Sequence, residues 1–120
     1  MRNEQGYRKL IAWQIGHKLA HLIYDVSENF PKSEIFGLTS QMRRASLSVC
    51  ANIAEGYSRS GLKDRGHFYQ IALGSLTELE FFIDFAFERN YLSETNHKEL
   101  INIETECAKV LIGLLKSTRL

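Results

Sequence analysis

Apolar residues recur every three or four positions along four stretches of this chain, which is the spacing of one face of an α-helix. The first stretch predicts a helix over residues 12 to 29, with only a narrow polar stripe. Because so little of its surface is polar, we expect this helix to be buried on more than one side. It should end before Pro31, since proline cannot donate a backbone hydrogen bond and disfavours helical geometry in the residue before it.

The second stretch predicts a helix from Thr39 to Gly56. Thr39 suits the N-cap position, and Gly56 suits the left-handed residue that closes many helices. Small side chains at 45, 46, 48, 51 and 54 would let a neighbouring backbone come close. We interpret these residues as packing positions.

The third stretch is the longest and predicts a helix over residues 62 to 90. Phe81 and Phe85 fall on the side opposite its core stripe, where a monomer would expose them to water. Covering one phenylalanine ring is worth about 2–3 kcal/mol, so the pair indicates a partner surface. The alternative is that the connecting loop or the N-terminal arm folds over them.

A fourth helix is predicted after Ser93, a good N-cap, and runs to about residue 116. One loop of about nine residues and two short turns join the helices. The pattern therefore predicts an all-α fold, an antiparallel up-down-up-down four-helix bundle. We expect the whole chain, 1–120, to form one domain with a short N-terminal arm at about 1–9.

Composition narrows the class of protein. The chain has 120 residues, 44% of them hydrophobic, with 15 Lys and Arg against 14 Asp and Glu. These values exclude a histone-like tail and an acidic disordered segment. The charged N-terminus is unlike a signal peptide and no stretch is apolar enough to span a membrane, so we expect a cytoplasmic protein without a membrane role. Cys50 and Cys107 are expected to be reduced core thiols.

No pattern of catalytic residues stands out. His17 and His21 have the i, i+4 spacing of a metal-binding pair, but no HExxH glutamate accompanies them, so we expect one histidine at the edge of the core and one in solvent. The serines lie within predicted helices, and the carboxylates mostly fall on solvent-facing positions. The glycines at 56 and 61 lack the spacing of a P-loop. The sequence therefore predicts no enzyme, no metal and no cofactor.

Basic residues gather around the turn after the second helix and near the start of that helix. The candidates for contact with a nucleic-acid backbone are Arg43, Arg44, Arg59, Lys63, Arg65 and His67. Residues 1–65 hold ten Lys and Arg against six Asp and Glu, whereas residues 66–120 hold five against eight. This polarity suits head-to-tail contacts between subunits as well as phosphate binding. The alternative is an ordinary solvated face.

Several sequence blocks occur in a recognisable order. They are LIAWQ at 10–14, FP at 30–31, GLTSQMRRA at 37–45, NIAEG at 52–56 and ALGSLTEL at 72–79. From residue 7 to about 116 the chain resembles the bacterial 23S rRNA-intervening sequence protein family, some members of which are labelled ribosomal proteins. The resemblance implies a four-helix bundle, and a pentameric ring as in the accessory proteins of diversity-generating retroelements. It also implies nucleic-acid binding through basic surface residues, with Arg43 and Arg44 in the matching block.

The chain departs from the family pattern at three positions. Cys50 stands where relatives often have proline or another small residue, and His67 and Leu73 stand where basic residues sometimes occur. We interpret the NIAEG block as architectural, with Gly56 closing the helix and Asn52 and Glu55 reaching a neighbouring helix.

Two functions follow as hypotheses. The first is a non-enzymatic, homo-oligomeric accessory protein that associates with RNA or DNA, a pentamer if the resemblance extends that far. The second is a protein-interaction scaffold with no nucleic-acid role, whose partner covers Phe81 and Phe85.

Overall fold

Four helices account for most of the computed structural model, which describes residues 6–119. They are α1 (Ile11–Ser27), α2 (Leu38–Ser58), α3 (Leu62–Glu88) and α4 (Glu94–Lys116), with short 3-10 turns at Tyr7–Lys9 and Lys32–Glu34. The predicted all-α fold is confirmed. Of the predicted N-terminal arm, residues 1–5 lie outside the described part of the chain.

Contacts at the helix ends fix the direction of each helix. Arg43 at the start of α2 bonds Ser27 at the end of α1, and Asp84 near the end of α3 bonds His97 near the start of α4. Gly56 near the end of α2 lies against Tyr69 near the start of α3. Consecutive helices are therefore antiparallel, and α1 packs against α4 to close a four-helix bundle.

One apolar core runs between the four helices. Its fully buried side chains include Leu19, Ile23, Met42, Ile53, Leu76, Leu79, Ile83, Leu100 and Leu111. Cys50 and Cys107 are buried free thiols, as expected. Burial raises the pKa of Cys50 to about 11 and that of Cys107 to about 12, so both stay protonated at neutral pH. In the described part of the chain, no helix is both long and apolar enough to cross a membrane.

Both predicted caps of α2 are wrong, each for a physical reason. Thr39 is not the N-cap of α2, because the helix begins at Leu38 and the Leu38 amide donates to Glu34 Oε1 (3.2 Å). Gly56 does not close α2, because it has no positive φ and the helix continues to Ser58. A Cβ on Gly56 would stand 2.7 Å from Tyr69 Cε1, so glycine is required there for the close approach of α3.

The end of α3 uses the left-handed conformation predicted for Gly56. Asn90 has a φ of 65°, and the amides of Asn90 and Tyr91 donate to the carbonyls of Phe87 and Ala86. These two bonds form a Schellman motif, which ends the helix at Glu88 and not at residue 90. The Ser93 side chain caps α4, as predicted, by accepting from the Asn96 amide (3.0 Å).

Candidate nucleic-acid interface

Cations from four segments of the chain meet at one end of the bundle, where α2 ends and α3 begins. We call this surface the basic end; its cations are Arg8, Lys9, Arg59, Lys63, Arg65, Lys116 and Arg119. Among residues 6–119, the carboxylates at this end are Glu55 and Asp64, and both pair with Arg59. The opposite end of the bundle carries most of the acidic side chains of α3 and α4. The two ends of the fold therefore differ in charge.

Arg59 is held in place by its own turn. Its guanidinium lies 3.1 Å from Glu55 and 3.7 Å from Asp64, and it stacks 4.7 Å from the centre of the Phe68 ring. Its Nε is buried without a hydrogen-bond partner. Two carboxylates balance its charge, so Arg59 joins α2 to α3 and offers little net attraction to a phosphate.

Arg65 and Lys9 both lie over one aromatic ring at the same end. Arg65 lies 5.2 Å and Lys9 5.4 Å from the centre of the Tyr57 ring, and Arg65 Nε donates to the Arg59 carbonyl (2.6 Å). Such cation–π contacts hold the long side chains near the surface without neutralising them. Neither residue forms a salt bridge with a described carboxylate, so both charges remain available to an anion.

A shallow cavity of about 320 Å³ opens beside this pair, between the start of α3 and the end of α4. Its lining residues include Lys63, Gly66, His67 and Arg119. Lys63 and His67 are exposed, and Arg119 bonds the Gln70 side chain (3.4 Å). This concave basic surface is large enough for a phosphate group.

Arg43 and Arg44 do not join these residues. They lie near the start of α2, about 24 Å along the helix from Arg59 at 1.5 Å per residue. Arg43 stacks on the Tyr24 ring (4.7 Å), and its Nε donates to Ser27 Oγ (2.9 Å). The six basic candidates therefore do not form one surface, which corrects the sequence-based grouping. Arg43 ties α2 to the end of α1, and Arg44 is exposed.

The polar residues of the NIAEG block bond within their own segment. Asn52 Nδ2 donates to the Ser48 carbonyl (2.9 Å), and Glu55 pairs with Arg59 one turn later. The bond that crosses to α3 is made by Ser48, whose Oγ lies 2.8 Å from Ser75 Oγ. The expected reach of Asn52 and Glu55 to a neighbouring helix is therefore wrong.

The two histidines of α1 face each other. The Nε2 atoms of His17 and His21 are 3.2 Å apart, and the His17 ring stacks on Trp13 with ring centres 4.5 Å apart. His17 thus lies at the edge of the core and His21 is exposed, as expected. Within residues 6–119, no group of three or more His, Cys, Asp or Glu side chains is arranged to hold a metal ion.

A buried carboxyl lies between α3 and α4 and was missed in the sequence. Glu104 is 4% exposed, and its Oε1 has no hydrogen-bond partner. Burial is the main cause that raises the Glu104 pKa, to about 8. The hydrogen bond that protonated Glu104 donates to Glu80, the charge of Glu80 and the charge of Asp84 raise it further. Its spacing with Leu100, Cys107 and Leu111 follows the core stripe of α4, which is the signal that could have found it.

Phe81 and Phe85 are exposed, at 62% and 39%. They line an open groove of about 480 Å³ with Phe82, Leu38 and neighbouring polar residues. The connecting loop forms one wall of this groove but does not cover the rings, and its own Phe36 is 95% exposed. The described part of the N-terminal arm packs elsewhere, with Tyr7 against Trp13. The two rings are exposed, as predicted, and a partner that covers them stays a prediction.

Comparison with known proteins identifies relatives of this bundle. The family model for the 23S rRNA-intervening sequence protein matches residues 8–113. No curated protein matches the chain. The fold also matches a crystal structure from Bacteroides thetaiotaomicron VPI-5482, which is described as a protein of unknown function from the S23 ribosomal protein family. The TM-score is 0.81 at 22% sequence identity, and the match covers 88% of this chain and 96% of that chain. That structure supports the fold alone, whereas the family match extends over most of the sequence, and the chain belongs to the 23S rRNA-intervening sequence protein family.

Proposed function

We propose that this protein is a non-enzymatic, cytoplasmic accessory factor that binds the phosphate backbone of RNA or DNA through its basic end and works as a homo-oligomer. The observation that supports the proposal is the convergence of cations from four chain segments on one surface. Six of them form no salt bridge with a described residue: Arg8, Lys9, Lys63, Arg65, Lys116 and Arg119. A near-neutral chain thereby presents a local positive field.

The basic end would hold a nucleic acid in place without reading its base sequence. Lysine and arginine neutralise phosphates and release counterions, and this contribution to affinity is independent of base sequence. The cavity lined by Lys63 and Arg119 would hold one phosphate, while Arg65 on Tyr57 would contact the next along the backbone. We therefore expect binding to structured RNA or DNA with little preference for sequence.

Charge reversal at the two ends of the bundle tests the proposal. In a filter-binding assay with a structured RNA, Lys63→Glu with Arg65→Glu should weaken binding strongly. Arg44→Glu is the matched control: Arg44 is an exposed arginine near the start of α2, at the opposite end of the bundle, and its reversal should change affinity little. Equal losses in both variants would show that net charge alone matters, and no loss in either would refute a role for the basic end.

The outer face of α3 supports the homo-oligomer. Ile71, Gly74, Phe81 and Phe85 follow one another at spacings of three, seven and four, which places them on one side of α3, and all are exposed. A Cβ on Gly74 would meet nothing within 4 Å, although a glycine inside a helix costs about 1 kcal/mol relative to alanine. Close approach by a second copy would explain both the glycine and the exposed rings. The pentameric state itself rests on the resemblance.

Matched variants test this face. Phe81→Asp and Gly74→Leu should lower the mass measured by light scattering while leaving helicity unchanged. The controls are Ile112→Asp and Gly113→Leu, since both residues are exposed on α4 and Gly113 also has open space around it. An unchanged mass in the α3 variants would refute this interface.

The second candidate function is a protein-interaction scaffold, favoured by the apolar groove beside Phe81. It predicts that the Phe81→Asp variant loses a protein partner while the Lys63→Glu, Arg65→Glu variant keeps full function. RNA binding that depends on the basic end would rule it out as the sole function.

A further inference from the structure

We propose that His17 and His21 form a binding site for a divalent transition-metal ion of the Cu²⁺, Ni²⁺ and Zn²⁺ class. Two imidazole nitrogens bound to one tetrahedral metal at about 2.0–2.1 Å each lie about 3.3 Å apart. The two Nε2 atoms share a hydrogen bond at 3.2 Å, which is close to this separation. Both can bind one ion once the shared proton moves to the Nδ1 of its own ring and the rings turn their free Nε2 lone pairs towards the metal. This site is independent of the basic end and of any nucleic acid.

The surrounding residues fix the geometry of the two histidines before a metal binds. The His17 ring stacks on Trp13 with an angle of 15° between the planes, and the His21 ring meets it edge-on. Both histidines lie on consecutive turns of α1, so the helix fixes their separation. The pair therefore loses little conformational entropy when a metal binds.

The open side of the pair leaves room for further ligands. His17, His21, Tyr24 and Cys50 line a cavity of about 290 Å³ that opens to solvent. Two imidazoles are the protein ligands, and water would fill the remaining positions of the metal. Nitrogen ligands select copper, nickel and zinc over magnesium and calcium, and copper should bind most tightly.

Arg8 lies over the other ring of this stack, 4.9 Å from the centre of Trp13, and its charge opposes a bound cation. The site therefore suits a metal with strong imidazole affinity.

The fluorescence of Trp13, the chain's one tryptophan, can report metal binding at this site. Because Trp13 stacks on His17, a bound Cu²⁺ would quench its fluorescence at short range. Titration of the purified full-length protein with CuCl₂ should give saturable quenching at one ion per chain, and MgCl₂ should give none. Calorimetry with ZnCl₂, which does not quench, measures binding separately.

Histidine variants test whether His17 and His21 bind the metal. His21→Ala is the primary variant because His21 is exposed and its loss leaves the core intact. Copper affinity should fall at least about tenfold, since even a residue that only supports a ligand contributes 10–100-fold. His97→Ala, which removes a histidine paired with Asp84, is the control and should bind like wild type. Unchanged copper and zinc affinity in His21→Ala, or no saturable binding by wild type, would overturn the proposal.

Discussion

Among the residues that the structure describes, Glu104 is the one acidic side chain that is buried, and replacing it with glutamine should stabilise the protein at neutral pH. Its pKa is about 8 in the folded bundle against an ordinary value of 4.5. Below pH 4.5 the carboxyl is protonated in both states and costs nothing. Between pH 4.5 and 8 the unfolded chain ionises while the folded chain does not, so the free energy of unfolding falls as pH rises.

The size of the effect follows from the pKa shift. Each pH unit within that window costs about 1.4 kcal/mol, so about 3 kcal/mol is lost by pH 7. Glutamine cannot ionise, and its amide can still donate to Glu80 as the protonated carboxyl does. Glu104→Gln should therefore be more stable than wild type by up to about 3 kcal/mol at pH 7 and nearly equal at pH 4.5.

Urea unfolding at the two pH values measures this difference, and the comparison of variant with wild type cancels the titration of other groups. Glu106→Gln is the control, because Glu106 lies on the same helix but is exposed. A Glu104→Gln variant that gains no stability between pH 4.5 and pH 7 would show that the buried carboxyl is not held protonated.

Two further predictions concern packing. Gly56→Ala should destabilise the bundle by about 1–3 kcal/mol, because the new methyl group overlaps the buried Tyr69 ring. Gly16→Ala should instead stabilise α1 by up to about 1 kcal/mol, because its Cβ would meet ordinary contacts at 3.4 Å or more. Thermal unfolding of both variants checks this contrast, and equal effects would contradict it. Arg43→Ala should cost about 1–2 kcal/mol in the free energy of unfolding through the lost bond to α1, while exposed Arg44→Ala should stay within about 0.5 kcal/mol; similar losses would refute the assigned role of Arg43.

The helices were predictable because their apolar spacing is strong and because Pro31 and Ser93 are unambiguous local signals. The exposure of Phe81 followed from the same spacing. What failed was the interpretation of Gly56, since a glycine near a helix end can serve either a left-handed cap or a close helix contact. The sequence around the position does not distinguish the two; the ring of Tyr69, thirteen residues later, decides it.

The basic end was predicted only in part for a different reason. Lys63, Arg65 and His67 are neighbours in sequence, so their grouping was visible. Lys9 and Arg119 reach the same surface because antiparallel helices bring the two termini of the described chain to one end of the bundle. Charge counts along the sequence cannot show such a convergence without the topology, and they also placed Arg43 with residues that lie at the other end of α2.

The central claim is that the basic end contacts phosphates, and the salt dependence of RNA binding tests it most directly. Six of its cations form no salt bridge with a described residue, and if each neutralises a phosphate, the slope of log affinity against log salt should be about −5. Lys63→Gln with Arg65→Gln should flatten that slope by about 2, and Arg44→Gln should leave it unchanged. An affinity independent of salt, or a slope that the double variant leaves intact, would contradict the account.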